Sequence, residues 1–318
     1  MKNLMKMALC AAMTAAMAAS LCACGGSEAA FPSKEINMVV PFGSGGSADL
    51  LARTIAEPAG EAFGKNVVVE NVTGASGTVG SAQVADADAD GYNLMFVTSA
   101  PLVVQPYFME GLTYDLDSFT PICNVASEPT CIAVLADSPY ETLEDLLNAD
   151  GVSLGNTGVG TLHYLFQQEL FNEAGTDYKQ VAFEGGAKLV TGLLGGNVDA
   201  ISTVVSEMYD YVESGEIRIL AVSTEERSDL YPDIPTVKEC GYDFSMSLDF
   251  FIVGPANLPD DVAAALSSTF ADAAQSETVT TYLANAHVSA NYMDGDTLKA
   301  KLESDSEMYK SIVDATKE

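Results

Sequence analysis

Val39-Val40-Pro41-Phe42-Gly43-Ser44-Gly45-Gly46-Ser47-Ala48-Asp49 joins an apolar run of strand length, residues 36–40, to a segment in which Leu51, Ile55 and Ala62-Phe63 recur near helical spacing. Glycines in such a strand-to-helix turn let a ligand come close to the backbone. Ser47 is placed to cap the helix, and the free N–H groups and positive dipole end there suit an anion. Pro58 predicts a kink in that helix. A second turn, Gly155-Asn156-Thr157-Gly158-Val159-Gly160-Thr161, holds the equivalent strand-to-helix position in the other half of the chain. Two anion-ready turns, one per half, describe a cleft between two α/β domains.

Outward from these turns, strand-length apolar runs alternate with helical patterns. Strands are expected at 67–70, 93–97, 131–135, 152–155, 178–183, 198–203, 217–223 and 248–253. Helices are expected at 141–148, 161–174, 187–194 and 206–213, with a helical C-terminal third. The alternation predicts a mostly parallel α/β sheet in each half. With 318 residues the chain is long enough for two cores, and 48% apolar against 19% charged residues excludes a disordered polymer. The 45 acidic and 14 basic residues give a formal charge of −31. Nucleic acid and anionic membrane surfaces are thereby excluded as partners.

Residues 1–23 read as an export signal: Lys2 and Lys6 precede an Ala/Met/Leu-rich stretch too short to span a bilayer. It ends in Leu21-Cys22-Ala23-Cys24-Gly25, which resembles a bacterial lipobox with Cys24 as the lipidated first residue. Residues 24–30 read as a tether. Cys123, Cys131 and Cys240 remain, at spacings that match neither a metal site nor a redox pair, and are expected to be buried free thiols.

Catalytic patterns are sparse. Two histidines, His163 and His287, and no Gly-x-Ser-x-Gly elbow argue against a hydrolase. No phosphate-loop lysine lies in either turn, and no residue set has metal-ligand spacing. Gly43-x-Gly45-x-x-Ala48, with Glu70 closing the next strand, satisfies a relaxed dinucleotide fingerprint, so an exported nucleotide-binding α/β enzyme is the alternative reading.

In order along the chain, Pro41 to Asp49, Val69-Glu70-Asn71, Gly74-Ala75-Ser76-Gly77, Asp90-Gly91-Tyr92, Phe119-Thr120-Pro121-Ile122 and the second turn resemble the tripartite tricarboxylate transporter solute-binding proteins, the TctC or Bug family. Leu193 to Asp199, Pro235-Thr236-Val237 and Pro255-Ala256-Asn257-Leu258-Pro259 extend the match over nearly the whole exported chain. The resemblance implies a two-lobed, type II periplasmic-binding-protein-like α/β fold of the Venus-flytrap kind, with lobe 1 at 31–125 and 248–318 and lobe 2 at 126–247. It implies a non-catalytic, monomeric receptor without cofactor or metal. Such a receptor captures a small carboxylate outside the cytoplasm and passes it to membrane permease subunits. Carried over by position, Phe42, Gly43, Gly46, Ser47 and Asp49 come from the first turn, and Thr98 and Ser99 follow the third strand. Asn156, Thr157, Gly158 and Thr161 come from the second turn, with His163 beside it. Phe183-Glu184-Gly185 stands where the family has an aromatic–Lys–Gly segment, Ser202-Thr203 replaces an acidic–Asn pair, and Asp249 replaces a large residue. If Glu184 and Asp249 face the cleft, they favour a mono- or dicarboxylate, amino-substituted, over citrate.

Overall fold

The computed structural model describes residues 31–228 and 231–315. The export signal, the lipidation position Cys24 and the tether lie outside the described residues. By internal contacts the chain divides into a short unit ending at Ser33 and a large one from Lys34 onward, which holds all the strands and helices described.

The first strand, β1 (Ile36–Val40), is almost wholly buried and feeds α1 (Ser47–Phe63). Leu51, Ala52, Ile55, Ala56 and Ala59 recur every three or four residues and form the buried face of α1. Each large one among them stabilises by roughly 1.5–3 kcal/mol. The helix runs through Pro58 as one element and stops at Gly64, whose left-handed φ of 64° lets its N–H close on the last carbonyls. Then come β2 (Val67–Asn71), α2 (Thr78–Ala85), β3 (Asn93–Thr98), α3 (Ser99–Val103) and α4 (Gln105–Phe108). β1 pairs in parallel with both β2 and β3.

The strand β4 (Phe119–Leu135) is 17 residues long and buried for nearly all its length. Only its end, 131–135, is legible as a strand. Pro121, Asn124, Ser127, Glu128 and Pro129 interrupt the apolar pattern before it. Tertiary partners compensate part of this polarity: Asn124 Nδ2 donates to the Asn291 carbonyl at 2.6 Å, and the Ser127 hydroxyl donates to Asp249. α5 (Leu143–Leu147), β5 (Val152–Asn156), α6 (Leu162–Ala174), β6 (Tyr178–Ala182), α7 (Gly186–Leu194), β7 (Ala200–Val204), α8 (Tyr209–Glu213) and β8 (Ile217–Val222) follow. The chain returns in β9 (Ser247–Pro255) and ends with α9 (Asp260–Ala274), α10 (Glu277–Asn285), β10 (Ser289–Asp294) and α11 (Gly295–Ala315).

The strand order is β2-β1-β3-β9-β4-β7-β5-β6, with β8 and β10 also on β4. The expectation of mostly parallel pairing holds on the flanks, β2-β1-β3 and β6-β5-β7. It fails in the middle, where β9 enters between β3 and β4 antiparallel to both. Long crossing connections of this kind leave no local trace in strand–helix alternation. β10 corrects the helical reading of the C-terminal third: it is an antiparallel strand on β4 with alternate residues exposed. Along β4 the partners change at one point. Residues from Phe119 to Pro129 pair with β9, and those from Thr130 onward pair with β7 and β8. Cys123 and Cys131 are buried free thiols as expected, but Cys240 is exposed, because it lies in the loop between β8 and β9.

Candidate functional site

The two turns are built differently. In the first, Asp49 is buried and works inward. Its Oδ2 accepts from the Gly45 N–H at 2.8 Å and from Arg53 Nε at 3.2 Å, and its Oδ1 accepts from Asn71 Nδ2 at 2.9 Å. Asn71 also donates to the Phe42 carbonyl at 3.0 Å, so the acid clamps the turn against β2. Burial pushes the Asp49 carboxyl up, but the bonds from Arg53, Gly45 and Asn71 outweigh it and hold the group below its ordinary value. The residue expected to touch ligand is thus a fastener. Ser47 does not cap α1 as expected: it already has helical geometry, the N-cap is Gly46, and a glycine brings no side chain to the task. The first N–H groups of α1 are left without a side-chain acceptor.

The second turn is tied to itself. Asn156, fully buried at the end of β5, accepts from the Gly158 N–H at 2.8 Å and donates to Gln167 Oε1 at 2.8 Å. Thr161 caps α6, accepting from the Tyr164 N–H at 3.3 Å while donating to the Gly158 carbonyl at 2.7 Å. Gly160 has φ of 76°, and a Cβ there would strike the amide of Gln105. That amide donates to the Gly160 carbonyl at 2.8 Å and so links α4 to the second turn.

Both turns meet at a cavity of about 220 Å³. Phe42 and Thr98 line it from one side, and Thr157, Thr161 and His163 from the other. The His163 imidazole is 8% exposed, and its Nδ1 has no hydrogen-bond partner among the described residues. Burial pushes this imidazole down to about 4, so it is neutral at physiological pH. An uncharged imidazole in the wall of a small cavity between two glycine turns can hydrogen-bond an occupant.

A neighbouring cavity of about 320 Å³ lies at the start of α1, where Ser47 meets Glu128, Ser206, Glu207, Phe250 and Tyr282. Leu248 of β9 lines the first cavity and Phe250 the second, so the two adjoin along one face of that strand. Burial pushes Glu128 up to about 7, opposed by a hydrogen bond from Ser206 and reinforced by the nearby Glu207. Glu207 is likewise raised by burial and accepts from the Thr203 hydroxyl. A larger groove, of about 840 Å³, lies beside α5. Neither turn reaches it, and Glu141, Glu144, Asp233 and Glu239 make it hostile to an anion.

Several other expected residues are placed elsewhere. Asp249 stands between Leu248 and Phe250, and the alternation of a strand sends it to the opposite face. There it is fully buried, 2.8 Å from Lys301 Nζ of α11 and bonded to Ser127 and Ser247. Glu184 is exposed and pairs with Lys188 one helical turn on. Neither acid reaches either cavity, so neither disfavours citrate there. Phe183 packs against Gly155 and Gly192, and Gly185 is the N-cap of α7. Thr203 is buried beneath Glu207, and the Ser99 hydroxyl accepts weakly from the Asp249 N–H at 3.4 Å. Gly43, Gly46 and Gly158 shape the turns without lining the cavities. Sequence reasoning missed Gln105, Leu248, Glu128 and Glu207. Each reaches the site through β4, β9 or a short helix, with no motif around it to signal the role.

Residues 51–317 match the model of the tripartite tricarboxylate transporter family receptors. A UPF0065 protein of Bordetella bronchiseptica is 31% identical over 236 residues, covering 73% of this chain and 70% of its own. A TctC solute-binding protein from Polaromonas superposes with a TM-score of 0.79 at 28% identity, over 90% of this chain and 99% of that one. The R. palustris protein Rpa4515, solved with adipate, gives 0.78 at 25% identity, over 89% and 97%. The fold is that of the two-lobed periplasmic solute-binding proteins.

Proposed function

The chain belongs to the tripartite tricarboxylate transporter receptor family of solute-binding proteins, and from that premise we propose that it captures a small carboxylate between two lobes and hands it to the permease subunits of a tripartite transporter. The observation that carries the reading is the cavity shared by the two turns, with its neutral His163 and the uncapped start of α1 beside it. A carboxylate accepts hydrogen bonds from backbone N–H groups, from the Thr98 and Thr157 hydroxyls and from the imidazole, and needs no arginine. The adipate bound to the related R. palustris protein supports that ligand class. Lobe 1 comprises 31–125 and 248–318, and lobe 2 comprises 126–247. The exchange of partners along β4 supports a boundary there. The receptor is a monomer held outside the cytoplasm by a lipid on Cys24, and it binds its ligand without transforming it.

The net charge of −31 does not oppose an anionic ligand. At physiological salt the screening length is about 8 Å, while N–H dipoles act at contact distance. A thermal-shift screen tests the reading. Small carboxylates are expected to raise the melting temperature, and stabilisation by dinucleotides alone would overturn it in favour of the nucleotide-binding alternative.

A further inference from the structure

The four residues of α4, Gln105-Pro106-Tyr107-Phe108, touch both halves of the fold. Val103 and Val104 before them are fully buried, and Pro106 fixes the backbone at the start of the helix. Tyr107 ties α4 to α11 through a bond of 2.6 Å between its hydroxyl and that of Ser306. This mounts α4 firmly on lobe 1. Its contacts with lobe 2 fall on one short stretch. Gln105 Nε2 donates to the Gly160 carbonyl at 2.8 Å, and the Phe108 ring meets that of Tyr164 edge-on, with 6.2 Å between centroids. Gly160 belongs to the second turn, and Tyr164 lies in the first turn of α6, its N–H held by Thr161. Both contacts therefore bear on the turn that meets the ligand.

The hydrogen bond joins the two walls of the cavity. Gln105 is 3% exposed and lines it beside Thr98, and Gly160 lines it beside Thr157. When the lobes part, water can serve both the amide and the carbonyl. When they close, the amide must supply the donor that water supplied. Gly160 makes room for this contact: its φ is 76°, and a Cβ there would come within 2.9 Å of the amide nitrogen.

We propose that Gln105 is a positioning residue for ligand capture: by donating to the Gly160 carbonyl it latches the second turn onto lobe 1, and with Phe108 it sets how long a bound carboxylate stays. This rests on the two-lobed carboxylate reading and adds the group that governs release. Loss of the donor leaves a carbonyl buried without a partner in the closed form alone, so the penalty falls on closure and not on the folding of either lobe. The ratio of closed to open form and the residence time should each fall about fivefold or more.

Two variants test the proposal. Gln105→Met keeps the length of the side chain and removes the donor, and Phe108→Leu removes the ring contact, which lies outside the cavity lining. Small-angle scattering with no ligand added reads closure: both variants should show a larger radius of gyration than wild type. Stopped-flow binding of succinate, malate and adipate reads release. For each probe that binds wild type, dissociation should be about fivefold faster or more in Gln105→Met, with association unchanged. A residue that only stabilises the fold would lower the melting temperature and leave the radius and the dissociation rate at wild-type values, which would overturn the proposal. Faster dissociation from Gln105→Met with an unchanged radius, and Phe108→Leu behaving as wild type, would make Gln105 a direct ligand contact and overturn the latch. If none of the probes binds wild type, the carboxylate reading falls and the radii alone decide the latch. If Gln105→Met fails to fold, Phe108→Leu decides by the same two readings.

Discussion

Replacing His163 by Gln should remove an acid sensitivity that the fold carries in its binding cavity. In the unfolded chain the imidazole titrates near 6.5, whereas burial holds it at about 4 in the folded protein. The unfolded state therefore binds the proton first. The stability that depends on a neutral His163 is complete above about pH 6.5 and is lost as the pH falls through that value towards 4. At about pH 4.5 the difference between the two titrations amounts to roughly 2.5 kcal/mol. Glu128 acts in the opposite sense: its raised value contributes stability at low pH that is lost as the pH climbs to about 7. That contribution, like those of the surface carboxylates, is common to wild type and variant and cancels in their difference. Urea unfolding of both proteins at pH 7 and 4.5 measures what remains. Wild type should lose about 2.5 kcal/mol more than His163→Gln between the two pH values. Parallel losses would refute the account of a buried, uncharged imidazole.

Further outcomes follow from the same contacts. A carboxylate placed beside His163 favours its protonated form, so binding should tighten as the pH falls from 7 to 5 in wild type and stay flat in His163→Gln, read by calorimetry. Thr161→Ala removes the cap of α6 and a hydroxyl from the cavity wall; it should cost about 0.5–2 kcal/mol in chemical denaturation and weaken carboxylate binding. Asp249→Asn should destabilise by about 2–3 kcal/mol, because Lys301 keeps only Asp305, yet leave ligand preference unchanged, which a melting curve and a binding panel would show. Alkylation followed by peptide mapping should label Cys240 in the native protein and spare Cys123 and Cys131 until denaturant is added.

Where the fold was legible, one element and its neighbour in sequence sufficed. The β1–turn–α1 unit and the β5–turn–α6 unit each carry an apolar period, a glycine turn and a stop signal within some thirty residues. The turns announced the cavity for the same reason, and His163 could be placed because it follows Thr161 on the first turn of a helix. What escaped depends on chain segments far apart. The first part of β4 is polar in sequence and becomes a buried strand only because residues beyond 247 supply its partners. The Asp249 misplacement is instructive: a single residue shift along a strand is a reversal of face, and local resemblance does not fix which face meets the ligand. Glu128 and Glu207 belong to two separate segments and become a pair only when β4 and the turn after β7 are packed together.

The placement of β9 between β3 and β4 also sets an order of events in time. The ribosome delivers the edges of β3 and β4 well before the strand that covers them, since the hundred-odd residues between Leu135 and Ser247 are made in between. At roughly 5–20 residues per second, those two edges wait on the order of ten seconds as open templates for pairing. During that interval a nascent chain is exposed to mispairing with its neighbours, and a helper that holds it extended would protect it most. The strand that completes the binding cavity is thus the one whose late arrival makes the molecule vulnerable while it is being born.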